Sequence, residues 1–203
     1  KDALDVGSFV HHAIEEHIAG RHPSFSGLTG KLLREARISY RSFLSWEREM
    51  RPEWIASELT IHHGRYYAGT LDALAKIGED YYVIDFKTSK EVYSEYFLQL
   101  AMYREALKMP ENRNVFQYLD WERKPCESTA PALFGYELCG IGVLRVPKDG
   151  APAEWKTIDD LDEIREKTLA AMACIVLFYG EKSRRLKNNK MTAGKVAKLI
   201  NQM

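Results

Sequence analysis

Two opposite charges, Asp85 and Lys87, stand two residues apart in "VIDFKTS" (83–89), a run otherwise rich in β-branched and aromatic residues. Alternate residues of a strand share a face. Val83, Asp85 and Lys87 therefore point one way, and Tyr82, Ile84 and Phe86 point the other, into a core under helices. Positions i and i+2 lie about 6.6 Å apart, so the two side chains can bend to one point. Taken alone, such a pair is a surface ion pair contributing about 0–1 kcal/mol. The segment "GTLDAL" (69–74) adds a second acid, Asp72. If 66–77 and 81–88 pair as a hairpin around "GED", Asp72 falls opposite residues 85–87. Two carboxylates that close repel unless positive charge stands between them. A divalent cation held by two carboxylates, a backbone carbonyl and water meets that need, and oxygen donors suit Mg²⁺ or Mn²⁺. Gly69 removes a side chain near Asp72 and leaves room for another backbone or a substrate.

Those side chains need a scaffold. Hydrophobic periodicity predicts a helix over 2–19, with Leu4, His11 and Ile18 on one stripe, and a second over 31–50, closed by Pro52. Strands follow at 54–62, 66–77 and 81–88. Ser94 can cap a helix running to Lys108. Residues 111–135, polar and containing Pro125 and Pro131, read as a loop insertion. Two more strands are expected at 136–147 and 153–158 around "PKDGAP". An apolar helix is expected at 160–179, stopped by Gly180, and a short last helix carries Val196, Leu199 and Ile200. The order gives an α/β fold: a mixed central sheet, antiparallel first, flanked by helices, with one helix crossing over it.

The 203 residues suit a single domain, 1–203. The chain begins at Lys1, so an upstream segment can be missing; no signal peptide stands at the start, and no apolar run reaches a membrane span. Cys126, Cys139 and Cys174 lack CxxC spacing, which points to buried thiols and a reducing cytoplasm. The net charge of zero hides an asymmetry. Residues 181–203 hold seven Lys/Arg against Glu181, a net +6, and the remainder, with 22 basic and 28 acidic residues, is −6. A basic helical tail on an acidic body suits either contact with a polyanion or a solvated helix end.

Four motifs, in order, resemble the RecB-type branch of the PD-(D/E)XK nucleases: "GSFVH" (Gly7 to His11), "GTLD" (Gly69 to Asp72), "DFKT" (Asp85 to Thr88) and "QLAMY" (Gln99 to Tyr103). They span residues 7–107. The resemblance implies a restriction-endonuclease-like fold and a metal-dependent DNA nuclease, most readily an exonuclease of phage, recombination or repair DNA processing. It implies that Asp72, Asp85, the carbonyl of Phe86 and His11 bind Mg²⁺ or Mn²⁺. Lys87 then orients the attacking water or stabilises transition-state charge. Glu58, the acid on the strand before G-x-x-D, ligates, acts through water or anchors Lys87. Gln99 and Tyr103 share a helix face; they buttress the site and touch substrate phosphate. Glu15, four residues after His11, is either a surface acid or an orienter of its imidazole.

Aromatics such as Tyr66, Tyr67 and Tyr96 could stack on unpaired bases, or simply pack. Some relatives hold an iron–sulfur cluster with four cysteines. This chain has three, so no iron–sulfur cluster is expected. No Walker loop is present, which leaves any helicase or recombination motor to a partner protein. Two alternatives stand beside the exonuclease: a structure-selective or restriction-like endonuclease, and a catalytically silent nucleic-acid-binding scaffold.

Overall fold

Val6, Val10, Ala13 and Ile14 recur at helical spacing and form the buried face of α1 (Val6–Ile18). Ala36, Ser39, Phe43 and Trp46 do the same for α2 (Gly30–Met50), which packs beside it. The computed structural model describes residues 6–63, 67–109 and 140–185, with side chains through residue 175. The expected start of the first helix at residue 2, the insertion at 111–135, the strand residues 136–139 and the last helix of the tail lie outside these residues.

β1 (Glu53–His63), β2 (Tyr67–Ile77) and β3 (Asp80–Lys87) follow as an antiparallel meander. The β2–β3 turn is Gly78-Glu79, with Ile77 paired to Asp80. Gly78 has φ 64°, the positive value that a two-residue hairpin turn demands at its first central position. α3 (Ser94–Leu107) then crosses over the sheet, so that β4 (Gly140–Arg145) runs parallel to β3, and β5 (Glu154–Ile158) returns antiparallel to β4. Among the described residues the strands form one sheet in the order β1-β2-β3-β4-β5. α4 (Leu161–Arg185) packs against α3.

Both faces of the sheet are covered. Ile84, Phe86 and Leu144 join Val10, Ile14 and Phe43 under α1 and α2. Val83, Ile141 and Val143 join Leu100 and Ile164 under α3 and α4. The Val83–Asp85–Lys87 face is therefore not the open one that a lone ion pair would occupy.

Four local expectations are corrected. Tyr93, not Ser94, holds the N-cap of α3, with no side-chain cap bond, and Ser94 is the first helical residue. α4 runs through Gly180 to Arg185, because a glycine without a following proline costs a helix only about 1 kcal/mol. Leu161, expected on the apolar face, is exposed. Asp160 Oδ1 accepts the Glu163 amide at 2.9 Å, which makes Leu161 the first residue after the cap. Cys174 is likewise exposed rather than buried; Cys126 and Cys139 lie outside the described residues.

Candidate active site and metal centre

The site lies where the sheet divides. β2 and β3 pair from Ile77↔Asp80 only as far as Ala73↔Ile84. Beyond that point β2 stays with β1 to His63↔Tyr67, and β3 stays with β4 to Lys87↔Arg145. The first residues past the last pair are Asp72 and Asp85, which the register sets opposite each other, within the expected window of 85–87. Asp72 Oδ2 accepts the Phe86 amide at 2.7 Å, so a side chain replaces the ladder's next backbone acceptor. On the other edge of β3, the Lys87 carbonyl accepts the Val146 amide at 2.7 Å. The alternation of the strand then turns the Phe86 carbonyl toward the β2 side, into the fork.

Electrostatics within the fork are tense. Asp85 is 4% exposed. Its Oδ1 accepts from Lys87 Nζ at 2.7 Å, and its Oδ2 is buried with no hydrogen-bond partner. Burial and the charge of Asp72 push the Asp85 carboxyl up to about 6, against the charge and hydrogen bond of Lys87 and the charge of His11. A buried carboxylate oxygen left without a donor is costly. His11 reaches into the fork from α1, with Nδ1 3.4 Å from Asp72 Oδ2 and its ring edge-on to Phe86 at 6.2 Å. Burial alone would lower the imidazole, but the hydrogen bond and charge of Asp72 and the charge of Asp85 outweigh burial and Lys87, leaving it raised above 6.5.

Glu58 reaches the same place by a strained route. It has φ 50° inside a strand, in a region costly for a residue with a Cβ. Its neighbours Ser57 and Leu59 still pair with Ala73 and Leu71. Yet Ala73 packs under α1–α2 and Leu71 under α3, although residues two apart in a regular strand share a face. The alternation slips at the Glu58–Asp72 level, and Glu58 is turned into a cavity of about 650 Å³ also lined by His11, Asp72 and Lys87. Partial burial and the charges of Asp72 and Glu15 raise its carboxyl, against His11 and His12.

Tyr96, Gln99 and Tyr103 lie at i, i+3 and i+7 on α3 and share a face. The Lys87 ammonium lies 4.9 Å from the centre of the Tyr96 ring, a cation–π contact. Gln99 Nε2 donates to Tyr103 Oη at 2.8 Å. Tyr103 rests on Gly69, where an added Cβ would come within 2.5 Å of its hydroxyl. Gly69 thus makes room for this tyrosine, where backbone or substrate was expected. This stripe bridges the parted strands from Lys87 on β3 to Gly69 on β2. Tyr67 packs, its hydroxyl donating to the Met102 carbonyl at 2.7 Å; Tyr66 lies outside the described residues.

Every candidate residue therefore sits at or beside the fork, but not all share one wall. His11, Glu58, Asp72 and Lys87 line the cavity; Asp85 lies behind Lys87, and Gln99 and Tyr103 flank the fork on α3. Glu15 does not orient His11. It pairs with His12 at 3.0 Å, and Arg21 lies 3.8 Å away. Among the described residues, three metal-capable side chains have ligand atoms within 4.8 Å of one another only in the set His12, Glu15 and Glu16, none of them an expected ligand. Sequence reasoning missed Ser8, Thr88, Ser89 and Lys148, which also line the cavity. Thr88 and Ser89 directly follow Lys87 and could have been read; Lys148 carries no local signal, because the pairing of β3 with β4 brings it there. A second cavity, of about 460 Å³ between α2 and the Gly150–Ala153 turn, holds none of the candidate residues.

The donor chemistry fits a divalent cation. Burial and the charge of Asp72 raise the Asp85 carboxyl, a buried Asp85 oxygen lacks a partner, and the His11 imidazole lies beside Asp72. A family model described as the PD-(D/E)XK nuclease superfamily matches residues 8–175. No curated protein matches the chain. The match covers well over half of the chain and every candidate residue, and the chain belongs to the PD-(D/E)XK nuclease superfamily.

Proposed function

We propose that this PD-(D/E)XK superfamily nuclease is a metal-dependent DNA exonuclease of the RecB type, acting in phage, recombination or repair DNA processing. The observation that carries the reading is the fork. The β2–β3 ladder stops one residue short of two facing acids, with a lysine ammonium 2.7 Å from one of them. The order of the four motifs supports the RecB-type branch. Hydrolysing a phosphodiester requires the barrier to fall by about 15–20 kcal/mol. A divalent ion, Mg²⁺ or Mn²⁺, supplies charge neutralisation at the phosphate and a more acidic water. Asp72, Asp85, the Phe86 carbonyl and His11 would hold it.

The remaining work falls to the chain's own side chains. Lys87, held between the Asp85 carboxylate and the Tyr96 ring, suits a fixed positive charge that orients water and meets charge on the phosphate, rather than a general base. Glu58 brings a third carboxylate to the cavity, for direct ligation or through water. Gln99 and Tyr103 hold the α3 face of the fork and offer an amide and a hydroxyl to substrate phosphate. The cysteine spacing supports a reducing, cytoplasmic setting, and among the described residues no helix is long and apolar enough to cross a membrane. A helicase or recombination protein is the partner that the missing motor invites.

The test is a digest of end-labelled single- and double-stranded linear DNA and of closed circles, with Mg²⁺ or Mn²⁺, beside Asp85→Ala and Lys87→Ala. Loss of linear substrate only, abolished in both variants, is the expected result. Cutting of circles would move the reading to an endonuclease. DNA binding with no metal-dependent cleavage would leave only a scaffold.

A further inference from the structure

Lys148 enters the catalytic cavity from an element that carries no motif. It follows β4 and lines the cavity together with Lys87, Thr88 and Ser89. The backbone leading into it is fixed at two points. The Val146 amide donates to the Lys87 carbonyl at 2.7 Å, and the Pro147 carbonyl accepts from Ser39 Oγ of α2 at 3.2 Å. The adjoining Asp149 is turned the other way, its Oδ1 accepting the Ala151 amide at 3.0 Å, and makes no ion pair with Lys148. No carboxylate among the described residues pairs with Lys148, whereas Lys87, the other lysine of the cavity, is already held by Asp85.

We propose that Lys148 is a substrate-anchoring residue, which grips a DNA phosphate neighbouring the one that is cleaved. The inference rests on the nuclease reading and extends it. A half-buried lysine without an acid partner, lining the cavity with two hydroxyl side chains, is the chemistry that recognises a phosphate oxygen. Its place after β4, which pairs with the edge of β3 opposite the β2–β3 fork, gives it a phosphate beside the cut rather than the reacting group. The loss of one phosphate contact has a defined signature: binding weakens across all sequences, and the salt dependence of log K becomes shallower by about 0.9 for duplex or about 0.7 for single-stranded DNA.

The experiment compares wild type, Lys148→Ala, Lys148→Arg and the surface control Lys31→Ala on linear DNA with and without a 5′-phosphate. Lys31 is exposed on α2 and paired with Glu35. Lys148→Ala is expected to raise KM about 5- to 10-fold with kcat within about 2-fold, Lys148→Arg to recover most of the loss, and Lys31→Ala to match wild type. An independent arm measures anisotropy of a labelled oligonucleotide with Mn²⁺ in a Lys87→Ala background, where adding Lys148→Ala should flatten the salt slope by nearly one unit. A defect confined to 5′-phosphorylated ends assigns Lys148 to a terminal phosphate, and an equal defect on both ends assigns it to an internal one. Wild-type cleavage with unchanged KM and salt slope in Lys148→Ala overturns the inference and leaves the nuclease reading standing. A wild type that neither cuts nor binds DNA overturns both.

Discussion

Replacing Asp85 by Asn should stabilise the metal-free protein while removing its activity. In the fold the carboxyl is pushed from 3.8 up to about 6. That is roughly two pKa units, and each unit corresponds to about 1.36 kcal/mol, so the ionised group costs the native state about 3 kcal/mol at pH 8. Asn keeps an oxygen for Lys87 Nζ, but its amide places N–H where Oδ2 now has no partner, which costs about 1 kcal/mol or more. The net gain is about 1–2 kcal/mol, which for a chain of this size raises Tm by about 3–6 °C. The sign follows from linkage. The folded pKa of Asp85 lies above its unfolded value, so the folded state takes up the proton more readily. Its stabilising contribution is present at low pH and is lost as pH rises from about 3.8 through about 6. The advantage of Asp85→Asn should therefore be full at pH 8 in EDTA, shrink as pH falls through about 6, and be gone below about pH 4. Adding Mn²⁺ should reverse the order, since an ion at 100 times its Kd stabilises the wild type by about 2.7 kcal/mol and the variant gains little. The assay is a thermal melt across pH, with EDTA or Mn²⁺. A variant less stable than wild type in EDTA at pH 8, or an equal response of both proteins to Mn²⁺, would refute the reasoning.

Other perturbations test the remaining parts of the site. Tyr96→Ala should lower kcat about 5- to 20-fold by releasing Lys87, while Tyr96→Phe, which keeps the ring under the ammonium, should retain most activity in the same DNA digest. Gly69→Ala drives a Cβ to 2.5 Å from Tyr103 Oη and should cost about 1–3 kcal/mol by urea denaturation, with activity falling as the α3 stripe lifts. Glu58→Gly should relieve the φ of 50° and leave stability unchanged or up to about 1 kcal/mol higher. A β-branched Glu58→Val should cost about 1–2 kcal/mol in the same titration, and both should reduce cleavage.

Much of the framework follows from local rules. The stripes of α1 and α2, the Gly78-Glu79 hairpin and the meander of β1 to β3 rest on periodicity and turn chemistry within about twenty residues, and the hairpin's centre was enough to bring Asp72 opposite residues 85–87, a window the register narrows to Asp85. Expectations failed where a boundary depends on one residue's surroundings, as at the cap of α3, Gly180 in α4 and exposed Leu161. What the sequence by itself determined is the set of chemical groups and their order: two acids, a lysine and a histidine, on elements whose periods it writes plainly. Only the tertiary structure decided that β2 and β3 part after Ala73↔Ile84, that Glu58 takes a positive φ, that Tyr96 lies under Lys87, and that Lys148 joins the cavity. The reason is physical. Each depends on packing or pairing between segments distant in the chain, with α3 crossing the sheet and β4 aligning beside β3, and such contacts leave no periodic trace in the residues that make them.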